Sequence, residues 1–128
     1  MTQSAFAALG IAPAIVSALE SQQITEPTPI QAEAIPELLA GHDLMASAQT
    51  GTGKTAAFLL PALTKLQKEP KHHGRGPRVL VLTPTRELAD QVAKVATDFA
   101  RRIPKCKVAC FVGGTPYPVQ NRILSQPL

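Results

Sequence analysis

The stretch AQTGTGKT, which begins at Ala48, constrains the fold of this chain more than any other feature of it. It matches the phosphate-loop pattern, except that Ala48 stands where the pattern has its first glycine. Gly51 and Gly53 let the backbone curl so that N–H groups face phosphate oxygens, and the following helix adds its positive N-terminal end. Lys54 would neutralise the β- and γ-phosphates, and Thr55 would offer its hydroxyl to Mg²⁺. The stretch therefore predicts binding of ATP or GTP.

The segments around this loop alternate between apolar runs and amphipathic repeats. We predict strands at residues 43–47, 78–83 and 105–112, and helices at residues 54–66 and 85–101. This order predicts a three-layer α/β fold with a parallel sheet and right-handed crossovers.

Two more helices are expected ahead of the sheet, and one is expected after it. The first spans residues 13–21, and the second begins at Pro29 with Thr28 as its cap and ends at Gly41. Pro36 predicts a kink or a broken hydrogen bond inside the second helix. A further helix could begin within residues 119–124.

Composition narrows the class of protein. The chain has 128 residues, of which 45% are apolar and 17% charged, which indicates one globular domain and excludes a disordered tail. Two cysteines are too few for a secreted disulfide scaffold, and no apolar stretch approaches the length of a membrane span. These features favour a protein of the reducing cytoplasm.

Charge differs between the two halves of the chain. Residues 1–60 carry a net charge of −4 and residues 61–128 a net charge of +8. A basic half suggests a polyanion such as nucleic acid, but most basic surfaces of small domains are only solvated faces. Arg101, Arg102, Lys105 and Lys107 fit the solvated surface better.

Three further motifs make the chain resemble the DEAD-box RNA helicases of superfamily 2. The stretch QITEPTPIQ, which ends at Gln31, resembles the Q motif of that family, and Phe6 stands where the family has an isolated aromatic residue. The stretch PTRELA, from Pro84, resembles motif Ia, and Gly113-Gly114 resembles the double glycine after the next strand. The resemblance implies the N-terminal part of a RecA-like lobe.

The resemblance implies a site for ATP or ADP with Mg²⁺, in which Gln31 reads adenine. An amide can donate to adenine N7 and accept from its N6 amino group, whereas guanine presents O6 there. The implied cofactor-binding residues are Phe6, Ile24, Thr28, Gln31, Ala48, Gln49, Thr50, Gly51, Thr52, Gly53, Lys54 and Thr55. Of these, Lys54 and Thr55 are also catalytic, and Thr55 is the metal ligand. Phe6 is equally explained as a core anchor for the first helix.

The same resemblance implies contacts with the sugar–phosphate backbone of single-stranded or duplex RNA. The implied residues are Pro84, Thr85, Arg86, Gly113 and Gly114, and Thr115 could assist. Such contacts position RNA without reading its sequence. The alternative for Arg86 is a salt bridge with Asp90 one helical turn away.

This chain departs from the family at the first two positions of the Q motif and in the absence of two family elements from its sequence. Gln23 stands where the family usually has glycine, and Ile24 where it often has an aromatic residue. The Asp-Glu-Ala-Asp strand and the second lobe do not occur in the sequence. We therefore expect a partial ATP-binding domain, with Q-motif helices at 1–41 and the RecA-like core from 42 to 128, which has no ATPase or unwinding activity by itself.

Two other functions remain open at this point. One is a different phosphate-loop enzyme such as a small kinase, and the other is a non-catalytic adaptor derived from a helicase. His72 and His73 have no metal-ligand spacing, Cys106 and Cys110 are expected to be buried thiols, and Met45 is expected in the core.

Overall fold

The computed structural model describes residues 4–49, 51, 53–67, 77–103, 106–114 and 116–124. Within these ranges the chain forms six helices and no strand. The helices are α1 (Ala5–Ala8), α2 (Pro13–Ser21), α3 (Pro29–Leu39), α4 (Lys54–Leu66), α5 (Arg86–Ala100) and α6 (Tyr117–Leu124). None of these helices is long and apolar enough to cross a membrane.

The helices predicted from periodicity and capping lie where the sequence placed them. Pro13 and Pro29 occupy the first turns of α2 and α3, where a missing N–H costs nothing. The helix α3 continues through Pro36 and ends before Gly41, which has a φ of +89°. Periodicity did not predict α1, because its four residues are too few to show a repeat.

The predicted parallel sheet is not present among the described residues. The segments at 43–47 and 78–83 and the described part of 105–112 form no strand, and Leu80 and Leu82 are 77% and 84% exposed. An apolar run shows that a segment favours burial, but a strand also needs a hydrogen-bonded neighbour. The sheet therefore stays a prediction. Met45, expected in the core, is 100% exposed.

The core lies between the helices. The side chains most completely removed from solvent are those of Phe6, Ile15, Leu19, Ile35, Leu60 and Pro61. Two polar contacts fasten α2 to its neighbours: the backbone N–H of Ala12 donates to Thr64 Oγ1 over 3.3 Å, and Arg102 Nη1 donates to Ser17 Oγ over 3.0 Å. This core fixes the N-terminus of α4, and therefore the end of the phosphate loop, against α3.

Candidate functional site

Gln31 joins the N-terminal end of α3 to the phosphate loop. Its side chain is only 6% exposed. Its Oε1 accepts from the backbone N–H of Thr28 over 3.0 Å, and its Nε2 donates to the carbonyl of Gly53 over 3.1 Å. These two bonds fix which end of the amide faces which partner. One Nε2 proton and one Oε1 lone pair remain for a ligand.

The contact between Gln31 and the phosphate loop requires a glycine at position 53. Its φ is +84°, in the left-handed region, and its carbonyl accepts from Ala57 N at 3.1 Å as well as from Gln31. A Cβ at Gly53 would collide with the Gln31 amide and would lie 3.2 Å from Thr28 Oγ1. The close approach of α3 to the loop therefore depends on the missing side chain.

The hydroxyl of Thr28 is buried beside this contact with no hydrogen-bond partner among the described residues. Thr28 is the N-cap of α3 and forms a capping box with Gln31. The Gln31 side chain accepts from Thr28 N over 3.0 Å, whereas the Thr28 hydroxyl faces the backbone N–H of Gln31 without completing a hydrogen bond. A buried hydroxyl without a partner is costly, so such groups commonly mark a place where a ligand or water completes the bonding. This orphaned atom fits a nucleotide site.

The phosphate-loop residues lie at the N-terminal end of α4. Lys54 is exposed and Thr55 is half-buried in the first turn of that helix, which contains no acidic residue. The positive end of the helix is therefore not neutralised by its own side chains, as an anion site requires. Ala48 is half-buried, whereas Gln49 and Gly51 are exposed. Thr50 and Thr52 lie outside the described residues.

Phe6 and Ile24 face the core. Phe6 is 1% exposed and belongs to the main cluster of buried residues, and half-buried Ile24 packs against that cluster. Gln23, directly before Ile24, has a φ of +62°. The position of Phe6 agrees with the core-anchor alternative, so its contact with adenine stays a proposal.

The predicted RNA-binding residues gather at the start of α5. Thr85 caps the helix by accepting from the backbone N–H of Leu88 over 3.1 Å. Arg86 does not pair with Asp90; its Nη1 donates to the carbonyl of Gly113 over 3.3 Å, and Asp90 Oδ1 accepts from the Cys110 thiol over 3.8 Å. Pro84, Gly113 and Gly114 are exposed beside it. Thr115 lies outside the described residues.

The two cysteines are half-buried free thiols rather than fully buried ones. Burial raises the pKa of Cys106. Burial, followed by the charge and hydrogen bond of Asp90, raises the pKa of Cys110. Both groups are therefore protonated near neutral pH, which leaves Cys110 a hydrogen-bond donor to Asp90.

Comparison with known proteins identifies the family. The DEAD/DEAH box helicase family matches residues 28–127, which include the Q-motif glutamine, the phosphate loop and the start of α5. The chain belongs to the DEAD/DEAH box helicase family. Within that family it is 48% identical over 124 residues to the ATP-dependent RNA helicase DeaD of Escherichia coli, and 44% identical over 126 residues to the ATP-dependent RNA helicase SrmB of the same organism.

This DEAD-box chain corresponds to a small part of each relative. The matches cover 97% and 98% of this chain but 19% of DeaD and 28% of SrmB. The crystal structure of the RNA helicase Prp28 from Chaetomium thermophilum bound to ADP matches 92% of this chain and 29% of that one, with 39% identity and a TM-score of 0.80. The chain is therefore similar in both sequence and structure to a RecA-like helicase domain.

The sequence predicted the residues of the nucleotide site and of the RNA site, but it did not predict one contact within each site. The bonds from Gln31 to Gly53 and from Arg86 to Gly113 span 22 and 27 residues of chain. No local pattern encodes such a pairing. The only sequence signal for the first contact is the glycine itself, since a glycine that precedes a helix can indicate a close approach.

Proposed function

We propose that this chain is the nucleotide-binding part of an ATP-dependent RNA helicase that remodels or unwinds RNA duplexes. The observation that carries the proposal is the hydrogen bond from Gln31 to Gly53, which joins a base-reading amide directly to the phosphate loop. The helicase relatives and the ADP complex of Prp28 support the choice of nucleotide. Two free cysteines suit a reducing cytoplasmic location.

In the proposed site, the nucleotide lies between α3 and the N-terminus of α4. Gln31 and the orphaned Thr28 hydroxyl would contact the adenine side, with Ile24 and Phe6 behind them. The loop residues Ala48, Gln49, Thr50, Gly51, Thr52 and Gly53 would surround the phosphates. Lys54 would neutralise their charge, and Thr55 would supply a hydroxyl ligand to Mg²⁺. In the full helicase, hydrolysis of the bound ATP would supply the free energy for remodelling RNA.

Discrimination of adenine from guanine follows from the fixed orientation of the Gln31 amide. Because Oε1 accepts from Thr28 and Nε2 donates to Gly53, the amide cannot exchange its two ends without losing both bonds. Adenine N7 and N6 match the remaining donor and acceptor, whereas guanine O6 would face Oε1 as a second acceptor. A good bidentate pair contributes roughly 1–3 kcal/mol of base discrimination.

We further propose that the apolar segments at 43–47, 78–83 and 105–112 pair as the parallel sheet of a RecA-like core, with the Q-motif helices at 1–41 ahead of it. The match to Prp28, with 39% identity and a TM-score of 0.80, supports this proposal. Amide hydrogen exchange tests the proposal. Slow exchange at Val79, Val81 and Val108 is expected; fast exchange at all three would contradict the sheet.

These 128 residues are proposed to bind nucleotide without turnover. No Asp-Glu pair occurs in them to hold Mg²⁺ and activate water, and phosphoryl transfer needs both functions. Steady phosphate release that is stimulated by RNA and lost in Lys54→Ala would overturn this part of the proposal.

The deciding experiment is a thermal melt of the chain with Mg-ADP, with Mg-GDP and without nucleotide. At about 100 times the Kd, Mg-ADP should stabilise the fold by roughly 2.7 kcal/mol, which raises the Tm by several degrees. At the same concentration Mg-GDP should raise the Tm less than Mg-ADP does, because its base is bound more weakly. Lys54→Ala should abolish the ADP shift because it removes the ammonium that neutralises the phosphates, and it should leave the core intact because Lys54 is exposed. Gln31→Glu, which removes the Nε2 donor, is a second control on base preference.

Other outcomes would favour the other functions. Equal shifts with ADP and GDP would indicate a different phosphate-loop enzyme, because the base would then not be read. A chain that binds RNA but neither nucleotide would indicate a non-catalytic adaptor.

A further inference from the structure

Arg86 reaches from the first residue of α5 to a turn that follows it by 27 residues. Its Nη1 donates to the carbonyl of Gly113 over 3.3 Å. The same nitrogen lies 3.6 Å from the point where a Cβ on Gly114 would stand, and Gly114 has a φ of +91°. The guanidinium therefore lies against the backbone of the double glycine, where a Cβ on Gly114 would be in ordinary van der Waals contact with it.

A second contact joins the same two segments one helical turn further along α5. Asp90 Oδ1 accepts from Cys110 Sγ over 3.8 Å, three residues before Gly113. Arg86 and Asp90 share one face of the helix, since residues four apart are neighbours there. Arg86 and Asp90 each form a hydrogen bond with the segment at 110–113 and not with one another. That segment is therefore attached to α5 at two points.

We propose that Arg86 is a positioning residue, which holds the Gly113–Gly114 turn beside the N-terminus of α5 so that the two segments present one backbone surface to an RNA strand. This inference rests on the proposed RNA-binding function. It differs from a phosphate contact by Arg86 itself. The guanidinium holds the Gly113–Gly114 turn in place. The groups that contact RNA are the backbone groups of that turn and of the N-terminus of α5.

The bond from Arg86 to Gly113 is exposed and 3.3 Å long, and its donor is a charged guanidinium. A lysine at position 86 would carry the same charge, but its ammonium group lacks the planar set of N–H donors that arginine has. Charge and positioning are therefore separable: Arg86→Lys preserves the charge, whereas Arg86→Ala removes both.

The first arm of the test needs no RNA. In the free protein, Arg86→Ala should shift the backbone amide NMR signals of Gly113 and Gly114, and Arg86→Lys should shift them partly. Arg101→Ala is the matched control, because Arg101 is an exposed arginine at the other end of α5 that pairs with Asp98 over 3.1 Å. Glycine signals that stay in place in Arg86→Ala, as in Arg101→Ala, would overturn the proposal.

The second arm measures the affinity for a single-stranded oligouridylate as a function of salt concentration. Arg86→Ala should weaken binding about tenfold, while the slope of log K against log salt stays that of the unsubstituted chain. A direct phosphate contact would instead lower the magnitude of that slope by about 0.7. That result would overturn the positioning role but support RNA binding. A chain that binds no oligouridylate at any salt concentration would overturn the proposed RNA function itself.

Discussion

Gln23 carries backbone strain that a single substitution can relieve. The helices α2 and α3 end in the same way: Ile24 N donates to Leu19 O and Gln23 N to Glu20 O, as His42 N donates to Glu37 O and Gly41 N to Leu38 O. This pattern places one residue in the left-handed region, Gln23 with a φ of +62° and Gly41 with a φ of +89°. The first position lacks the glycine that the second has.

We expect Gln23→Gly to stabilise the chain by about 0.5–1 kcal/mol. The left-handed conformation costs a residue with a Cβ roughly 1–2 kcal/mol, from which the greater chain entropy of glycine must be subtracted. Urea denaturation measures the change. The reverse substitution, Gly41→Gln, is the control and should destabilise by a similar amount, because space around Gly41 is open and only strain is added. A less stable Gln23→Gly would show that position 23 is not strained.

Gly51 and Gly53 allow the cost of backbone strain and the cost of a steric collision to be measured separately within one loop. Their φ values are +86° and +84°, but a Cβ at Gly51 meets nothing within 4 Å, whereas one at Gly53 meets Gln31 and Thr28. Gly53→Ala should therefore destabilise more than Gly51→Ala, by about 1–3 kcal/mol, because the collision is with packed groups. Thermal melts of both variants check this. Equal losses would mean that the Gln31 contact moves aside at no cost.

At the scale of elements, α5 depends on its N-cap. The Thr85 hydroxyl accepts from Leu88 N over 3.1 Å, and Thr97 on the same helix donates to Ala93 O over 2.8 Å. Thr85→Ala should destabilise by about 1 kcal/mol, since an orphan N–H loses its acceptor. Thr97→Ala should be neutral or slightly stabilising, because alanine favours the helix interior and only a local back-bond is lost. The denaturation midpoints of the two variants measure both changes in stability. Similar losses of stability in the two variants would contradict the capping role of Thr85.

For the whole molecule, titration of the thiols links stability to pH. The pKa of Cys106 is raised above its ordinary value of 9.0 by burial, and the pKa of Cys110 is raised by burial and by Asp90. The folded chain thus holds these protons more tightly than the unfolded chain. The resulting stability is fully present below pH 9.0 and is lost as the pH rises through the raised pKa values.

The Tm should therefore fall as the pH is raised above 9.0, and it should fall less steeply in a Cys106→Ala/Cys110→Ala variant. Melts at a series of alkaline pH values measure both slopes. Asp90→Asn is the control for the charge, since it leaves the burial of Cys110 in place. Identical slopes for all three proteins would show that the thiols titrate alike in the folded and unfolded chains.

Local chemistry in the sequence determined most of the helices and the position of the proposed nucleotide site. Pro13, Pro29, Thr28 and Gly41 mark helix ends through their own backbone preferences, and the apolar repeat of α5 needs no distant partner. The glycines and Lys54 of the phosphate loop likewise indicate anion binding from adjacent residues alone.

Only the tertiary structure decided which distant groups meet. It placed Phe6 in the core, brought Gln31 to Gly53, and directed Arg86 to Gly113 instead of Asp90. It also left Met45, Leu80 and Leu82 exposed, although their apolar character had predicted burial. The physical reason is that burial and hydrogen bonding between distant residues depend on how the whole chain packs, whereas a cap, a turn or a helical repeat is decided within a few neighbouring residues.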